Sequence, residues 1–317
     1  MSLEINQYYN YITAIAYSNA KSYKQILEEF NERLHKEYGE DMSVEKLKLH
    51  HITEYIQYFR GKKMKRGARI WQTPAESYVK CVLKIIKQFL KFLKRNEYNV
   101  IPREQVPSIK IPESRFDMVS EENYNTIRNI PEVLEKEVIV ARRNQLIIDI
   151  LHDTGLRRAE VLRLTFDDFK TKNRQFEVKI KWGRIGSCFY SEKLRKKVLA
   201  FERLQNTYLK EKKIKNENNL VLISYGRRNT WGKLNLNYIS CMFNHYTEFL
   251  KKSETLWLKE RVHAHQFRHA FATRCVISWL SQQATCALMR HVDPATTLRY
   301  YHLNDTFLRS QYDRIKQ

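Results

Sequence analysis

No stretch of 18 apolar residues occurs in this chain of 317 residues. The apolar segment 82–93 is interrupted by Lys84, Lys87 and Lys91. A bilayer-spanning helix needs about 20 such residues, so no membrane partner is expected. The opening residues, M-S-L-E-I-N-Q-Y-Y, lack the basic and then apolar pattern of a cleaved leader. The five cysteines (Cys81, Cys188, Cys241, Cys275, Cys286) are scattered and odd in number, and none forms C-x-x-C. That pattern excludes a disulfide framework and disfavours structural zinc, so a reducing cytoplasm is the expected compartment. Internal repeats and low-complexity tracts are also missing. Acidic residues are scarce relative to basic ones, 35 Asp and Glu against 57 Lys and Arg, a formal net charge of +22. Such an excess calls for a polyanionic partner, either nucleic acid or an anionic membrane surface. With no membrane segment, nucleic acid is the better reading, and a nucleoid-associated location follows.

The length suggests about two domains, each able to bury a core. Residues 1–98 read as all-helical, with apolar residues at three-to-four spacing over 5–16, 22–38, 43–59 and 75–98. Ser18 or Ser22 can cap the second helix and Ser43 the third. In the fourth, Val82, Ile85, Ile86, Phe89, Leu90 and Leu93 make a core face. Lys80, Lys84, Lys87, Lys91 and Lys94 form a stripe on another face. A lysine stripe is usually a solvated face. Here it follows a loop, 60–69, holding six basic residues in ten, among them Arg60, Lys62, Lys63, Lys65 and Arg66. Two basic features in one small helical domain favour phosphate contact. Residues 99–116 carry Pro102, Pro107 and Pro112 among polar residues. Proline disfavours helix at and before itself, so this is read as an extended interdomain linker, or else a loop lying on one domain.

The second domain, 117–317, opens with a helix started by Ser120, with Glu121 and Glu122 in its first turn. Helices are expected at 144–152, ending before Gly155, and at 156–166. Phe176, Val178 and Ile180 alternate with Glu177, Lys179 and Lys181, the pattern of a strand, with Lys181 at a hairpin tip. Residues 188–190 would return. Further helices are expected at 192–212, 236–251, 264–280 and 282–290, with another from Ala295. Asp293-Pro294 stops one helix and starts the next, Asp293 as N-cap and Pro294 at the first helical position. The fold class is therefore mainly α, with a small antiparallel β-sheet in the C-terminal domain.

The richest stretch is 262–301. It reads V-H-A-H-Q-F-R-H-A-F-A-T-R, then L-M-R-H-V-D-P-A-T-T-L-R-Y-Y. His265 and Arg268, three apart on a helix, share a face. His291 and Tyr300 follow. An arginine, two imidazoles and a phenol, without metal-ligand spacing, suit attack by tyrosine on a phosphodiester. Together with Thr154-Gly155-Leu156-Arg157-Arg158-Ala159-Glu160 upstream, and a lysine in the hairpin after it, these motifs resemble the tyrosine recombinases, the phage-integrase and Xer-like family. That family's pattern is H-x-x-R, then L-x-G-H, then a tyrosine nine residues on. Spacings and residue types agree over about 150 residues. The chain departs from the pattern in three places. Arg290 stands where a glycine usually precedes His291. The hairpin reads Lys181-Trp182-Gly183-Arg184. Cys188-Phe189-Tyr190 replaces the usual V-P-L strand.

The resemblance implies a two-domain DNA clamp: a helical core-binding domain at 1–98, the linker at 99–116 and a catalytic domain at 117–317. It implies site-specific cleavage and rejoining of duplex DNA through a 3′-phosphotyrosyl bond on Tyr300. Arg157 and Arg268 would hold the non-bridging phosphate oxygens, because guanidinium forks bind them in two directions without losing charge. His265 would be the base for Tyr300 or a hydrogen-bond partner of the phosphate, and His291 would bond the same oxygens. Lys181 would protonate the leaving 5′-oxygen, with Lys179 and Arg184 as rivals. Glu160 would orient a neighbouring side chain, while His263 and His269 are read as structural. Neither metal nor ATP is called for, since the covalent bond stores the cleaved phosphodiester. The partners would be double-stranded DNA and further copies of the chain, a dimer per site and a tetramer on two sites. No additional N-terminal arm-binding domain is visible, which suits an Xer-like or mobile-element recombinase. Two other readings are a type IB topoisomerase-like relaxing enzyme and a non-catalytic DNA-binding protein. The intact residue set argues against the latter.

If two domains close on DNA and touch ~10 phosphates, log K against log salt should slope near ~−9. A slope near ~−2 would contradict a clamp. Neutralising Lys84, Lys87 and Lys91 should lower affinity for all DNA sequences alike, as measured by titration against specific and scrambled duplexes.

Overall fold

A computed structural model of the chain describes all residues except 16–18, 67–69, 112–117, 181–182, 226–231, 253–261, 303–308, 310–311 and 314–317; at 64–66, 70–71 and 302 it describes the backbone alone. The chain divides into two compact units, Met1–Glu113 and Ser114–Gln317. Both are mainly helical, and every sheet among the described residues has two antiparallel strands.

In the first unit, α1 (Ser2–Ala14), α2 (Ala20–Tyr38), α3 (Leu49–Gly61) and α4 (Glu76–Arg95) surround one core. The longest of them, α4, turns Val79, Val82, Leu83, Ile85, Ile86, Phe89, Leu90 and Leu93 inward. Its Lys80, Lys84 and Lys94 are exposed, whereas Lys87 and Lys91 are half-buried, and Lys87 Nζ donates to Ser108 Oγ at 2.9 Å. The third helix begins later than the sequence suggests. Residues 43–48 form turns, and the cap is not Ser43 but the Lys48 backbone, whose N–H donates to His51 Nδ1 at 3.0 Å.

One expectation changes in this unit and another is narrowed. The basic stretch 60–69 is not a plain loop: β1 (Met64–Arg66) pairs with β2 (Ile70–Gln72), bringing Arg66 opposite Ile70. Its flanking cations are partly spent within the unit. Arg60 forks onto Glu76 at 2.9 and 3.0 Å, and Lys62 meets Glu29 at 2.5 Å, while Lys63 stays exposed. Solvated pairs of this kind contribute under about 1 kcal/mol, so a phosphate could displace them. The side chains of Lys65 and Arg66 lie outside the described residues. Of the two readings of 99–116, an extended interdomain linker or a loop lying on one domain, residues 100–109 fit the second. Val100 and Val106 are buried in the core of the first unit, with Ile101 and Ile109 packed beside them. Burying two branched apolar side chains outweighs the extension that the prolines favour, so residues 100–109 lie on this unit.

In the second unit, α5 (Glu121–Leu134) starts at Ser120, whose Oγ accepts from Asn123 N at 3.1 Å. It packs on the central helix α6 (Val138–Thr154), which buries Asp149 among Tyr124, Arg128 and Lys197 at 2.5–2.8 Å. α6 ends at Gly155, in left-handed backbone with φ 58°. The helix expected over 156–166 shrinks to one turn, α7 (Arg158–Val161). Beyond it the chain extends: Phe166 N donates to Asn219 O and Val221 N to Leu164 O, an inter-segment bridge that takes Leu164 and Phe166 into the core without helix. A hairpin follows, β3 (Gln175–Lys179) with β4 (Ile185–Phe189), in which Phe176 and Val178 face inward opposite Cys188 and Gly186. Next come α8 (Glu192–Glu211), a second hairpin of β5 (Ile223–Ser224) and β6 (Gly232–Lys233), and α9 (Leu236–Lys252). The unit's last described helices are α10 (Ala264–Ile277), α11 (Gln282–Met289) and α12 (Pro294–His302).

Gly155 is required twice over. Its φ is positive, and a Cβ there would lie 2.6 Å from Cδ1 of the Phe271 ring. Gly155→Ala should therefore destabilise the second unit by roughly 2–4 kcal/mol, from left-handed strain plus overpacking. A thermal midpoint within a degree of the wild type would refute this.

Candidate active site

The site is built where three chain turns meet: the end of α6 with the start of α7, the first half of α10, and the α11–α12 junction. Arg157 is the N-cap residue of α7. Its backbone N–H and its Nη1 both bond the Glu160 carboxylate, each at 2.8 Å. Glu160 is buried, yet its pKa lies below the usual carboxylate value. Burial would raise it, but the Arg157 backbone and guanidinium, with Arg290 beyond, outweigh that. The acid therefore remains charged and fixes the direction of the Arg157 fork.

Arg268 is 2 % exposed on α10. Its Nη1 donates to Gly155 O at 2.6 Å and its Nη2 to Met289 O. Burial, then Arg157 and Arg290, push its pKa down to about 9, which leaves it charged at neutral pH. Neither bond uses a carboxylate, so the positive charge is solvated without being neutralised. A guanidinium has further N–H donors for an incoming anion.

At the α11–α12 junction, Arg290 is the left-handed cap of α11, with φ 53°. That conformation explains why glycine suits the position. The arginine meets the strain with contacts: Nη1 to Leu288 O at 2.8 Å, Nη2 to Thr154 O at 3.4 Å, and Nε 3.9 Å from Glu160. The turn then places His291, whose Nδ1 is 2.7 Å from Thr297 Oγ1, so that Nε2 is the ring nitrogen left to face a ligand. Asp293 receives the N–H of Ala295 at 3.0 Å and Pro294 opens α12.

Tyr300, on the last turn of α12, is 4 % exposed and packs on Ala272, Val276 and Met289. Burial pushes its pKa up to about 12, although Arg268 and Arg299 pull it down. Its ring lies nearly parallel to His291 at 6.4 Å between centroids. The imidazole in hydrogen-bond contact with its hydroxyl is His269, with Nδ1 at 2.7 Å. The sequence reading left His269 as structural and took His265 as the base for the tyrosine or as a hydrogen-bond partner of the phosphate. His265 lies one turn earlier, open to solvent on one side, its ring 4.2 Å from that of His269. The signal was present in the four-residue spacing of His265 and His269, which puts both on one face. Tyr301 points elsewhere, its hydroxyl bonded to Leu280 O at 2.6 Å and Thr285 Oγ1 at 2.8 Å.

The structure therefore brings together Arg157, Glu160, Arg268, His265, His291 and Tyr300, and adds His269 and Arg290. Arg157 and Arg290 contact the Glu160 carboxylate, while Arg268 bonds carbonyls, so three guanidinium groups meet one acid in a net positive pocket suited to an anion. Beside it, between the β3–β4 hairpin and α11, lies a cleft of about 720 Å³ lined by Gly186, Phe189, Cys286, Arg290 and His291. Lys181 lies outside the described residues. Its hairpin is held by Ile180 N donating to Arg184 O at 2.8 Å.

The histidines here are held neutral. Burial first, then Arg268, Arg157 and Arg290, push His291 down to about 4. Burial, then His265, His263, Arg268 and Arg299, push His269 down to about 3. Between pH 6.5 and these values the unfolded chain binds more protons than the folded one, so stability falls as pH falls. The thermal midpoint should be lower at pH 5 than at pH 7, and His291→Gln should flatten that dependence. An unchanged slope would show that His291 is not held neutral.

The profile of the phage integrase family matches residues 118–306, more than half of the chain. Tyrosine recombinase XerC of Pseudomonas aeruginosa is 26% identical over 175 residues, 55% of this chain and 52% of that protein, so the chain spans about half that relative's length. XerC of Staphylococcus saprophyticus is 21% identical over 305 residues, 92% of this chain and 88% of that protein. Among solved structures, the Tn1549 transposon integrase in complex with transposon right end DNA aligns with a TM-score of 0.69 at 15% identity, covering 99% of both chains. The XerH site-specific recombinase bound to palindromic difH substrate aligns with a TM-score of 0.68 at 17% identity, covering 94% of this chain and 80% of that one. Fold, residue set and family profile coincide on the same segment of the second unit, and the chain belongs to the phage integrase family.

Proposed function

We propose that the chain is a site-specific recombinase or integrase that cleaves and rejoins duplex DNA through a covalent bond between Tyr300 and a 3′-phosphate. The observation that carries this reading is the placement of the Tyr300 phenol beside a pocket of three guanidinium groups with one acid among them. A phosphodiester in that pocket would be gripped by Arg157 and Arg268, with His265 and the Nε2 side of His291 on its remaining oxygens. Attack by the Tyr300 oxygen forms the O–P bond and breaks the bond to the 5′-oxygen. That oxygen takes a proton from the hairpin, from Lys181 or from its neighbours Lys179 and Arg184. Rejoining is the reverse, with the 5′-hydroxyl as nucleophile. Preorganised cations at the developing charge supply most of the acceleration.

Double-stranded DNA is the partner this chemistry requires, and proteins of the same fold have been solved on DNA. The first unit would act as the core-binding domain, with the exposed Lys63, Lys80, Lys84 and Lys94 as its first phosphate contacts. Exchange of strands between two sites needs four nucleophiles, hence a tetramer of this chain, two copies per site.

On a nicked suicide duplex, Tyr300→Phe should abolish the covalent protein–DNA complex and Tyr301→Phe should still form it. Peptide mapping should find the adduct on Tyr300; an adduct on Tyr301 would overturn the mechanism. Arg157→Ala should slow cleavage by roughly 10²–10³ with DNA binding nearly intact. Arg268→Lys is the better probe at the buried position, because it keeps the charge and removes only the fork. A similar slowing is expected there, and normal cleavage would remove Arg268 from the phosphate site.

A further inference from the structure

We propose that His269 accepts the proton of Tyr300 as the phenol attacks phosphorus, an assignment that rests on the cleavage chemistry proposed above. Three observations carry it. The Tyr300 hydroxyl lies 2.7 Å from His269 Nδ1. His269 is adjacent to Arg268 on α10, so one helix delivers both the phosphate ligand and the base. Tyr300 is buried against Ala272, Val276 and Met289, which holds the phenol largely out of bulk water.

Chemical need points the same way. A phenol with a pKa of about 12 is ionised in roughly one molecule in 10⁵ at pH 7, so attack needs a base in contact. The groups facing His269 are His265, Arg268 and the N-cap residue His263 of its own helix, and Arg299 and Tyr300 from α12. The cations among them, with burial, keep the free imidazole neutral. In the tautomer with hydrogen on Nε2, the Nδ1 lone pair accepts from Tyr300. A bound phosphodiester adds negative charge beside Arg268 and makes the imidazole more basic when substrate is present. The step balances: the phenolic proton moves to Nδ1, the O–P bond forms, the P–O5′ bond breaks, and the 5′-oxygen is protonated separately from the hairpin. In rejoining, the imidazolium returns the proton to the departing tyrosine oxygen.

The test is the rate of covalent complex formation on a nicked suicide duplex from pH 6 to 9, for the wild type, His269→Asn and His269→Ala. Asparagine places an acceptor oxygen near the position of Nδ1 but takes up no proton. Both variants should lose roughly 10²–10⁴ in rate while binding DNA as tightly as the wild type. Their rates should climb about tenfold per pH unit as hydroxide ionises the phenol, whereas the wild type levels off. Wild-type cleavage by His269→Asn would reduce His269 to a positioning residue and overturn the proposal. So would faster cleavage by His269→Ala, the mark of a restraining latch, or slow variants with a wild-type-shaped pH profile. If the wild type forms no adduct, the cleavage reading fails, and this assignment fails with it. An adduct in the wild type and equally in His269→Asn refutes the base assignment alone.

Discussion

The second unit is organised around a buried cation. Taking a guanidinium out of water costs several kcal/mol unless its donors are satisfied. Arg268 finds acceptors at two helix ends, Gly155 O after α6 and Met289 O at the end of α11. Carbonyls at a helix C-terminus have no intrahelical partner and carry the negative end of the helix dipole. One arginine thus caps two helices from a third and ties three stretches that are distant in sequence. Arg290 and Arg274 reinforce the same arrangement, donating to Thr154 O and His152 O at the end of α6. Had a carboxylate served instead of carbonyls, the fold would be held equally well and the site would lose its charge. The choice of acceptor links the architecture to its chemistry.

The consequences spread through the site. Burial first, and then the surplus of positive charge, hold His269 and His291 neutral, as hydrogen-bonding groups rather than extra cations, and lower the pKa of His265 as well. The same charge pulls on Tyr300, but burial of the phenol prevails and the tyrosine rests protonated. Under the proposed mechanism, a tyrosine that is buried, protonated and already bonded to an imidazole is chemically quiet without substrate. A bound phosphodiester would change both terms at once, offsetting the arginines that depress the imidazoles and supplying the electrophile. Glu160 keeps this balance from tipping too far: it steadies Arg157 and Arg290 while cancelling only one of three charges.

Much of this was legible in the sequence, for physical reasons that differ by element. Helices such as α4 and α8 announce themselves through apolar periodicity, and α5 and α12 through the caps Ser120 and Asp293. Periodicity misled at 156–166, where Leu164 and Phe166 reach the core from an extended segment paired with 219–221; a bridge between distant segments leaves no local trace. Charge content misled at 60–69, and proline content left 99–116 open between an interdomain linker and a loop lying on one domain. Three-residue strands are too short to show alternation, and two valines decided the path of the proline segment. In the site, the motif spacings singled out Arg157, Glu160, His265, Arg268, His291 and Tyr300, which the fold brings together, but not the parts of Arg290 and His269 or which imidazole touches the phenol. That depends on how α12 packs across α10, a tertiary matter.

Arg290 shows how a departure from a family pattern is absorbed. A side chain at φ 53° costs about 1–2 kcal/mol where glycine would cost nothing. The chain offsets this by giving the guanidinium two carbonyls and a nearby carboxylate, though Nε is left buried without an acceptor. Room for the stem comes from the hairpin. A Cβ on Gly186 would lie 3.0 Å from Arg290 Cγ, so a small residue on β4 accommodates the large one at the turn. Gly186 pairs with Val178 in the ladder that leads to the Lys179–Arg184 turn. The strand leading to the proposed acid therefore rests against the residue that replaced the glycine. Contact with Glu160 connects that residue in turn to Arg157. In this chain the substituted position makes a continuous packed path from the hairpin to the arginine pocket, where a glycine would leave a gap.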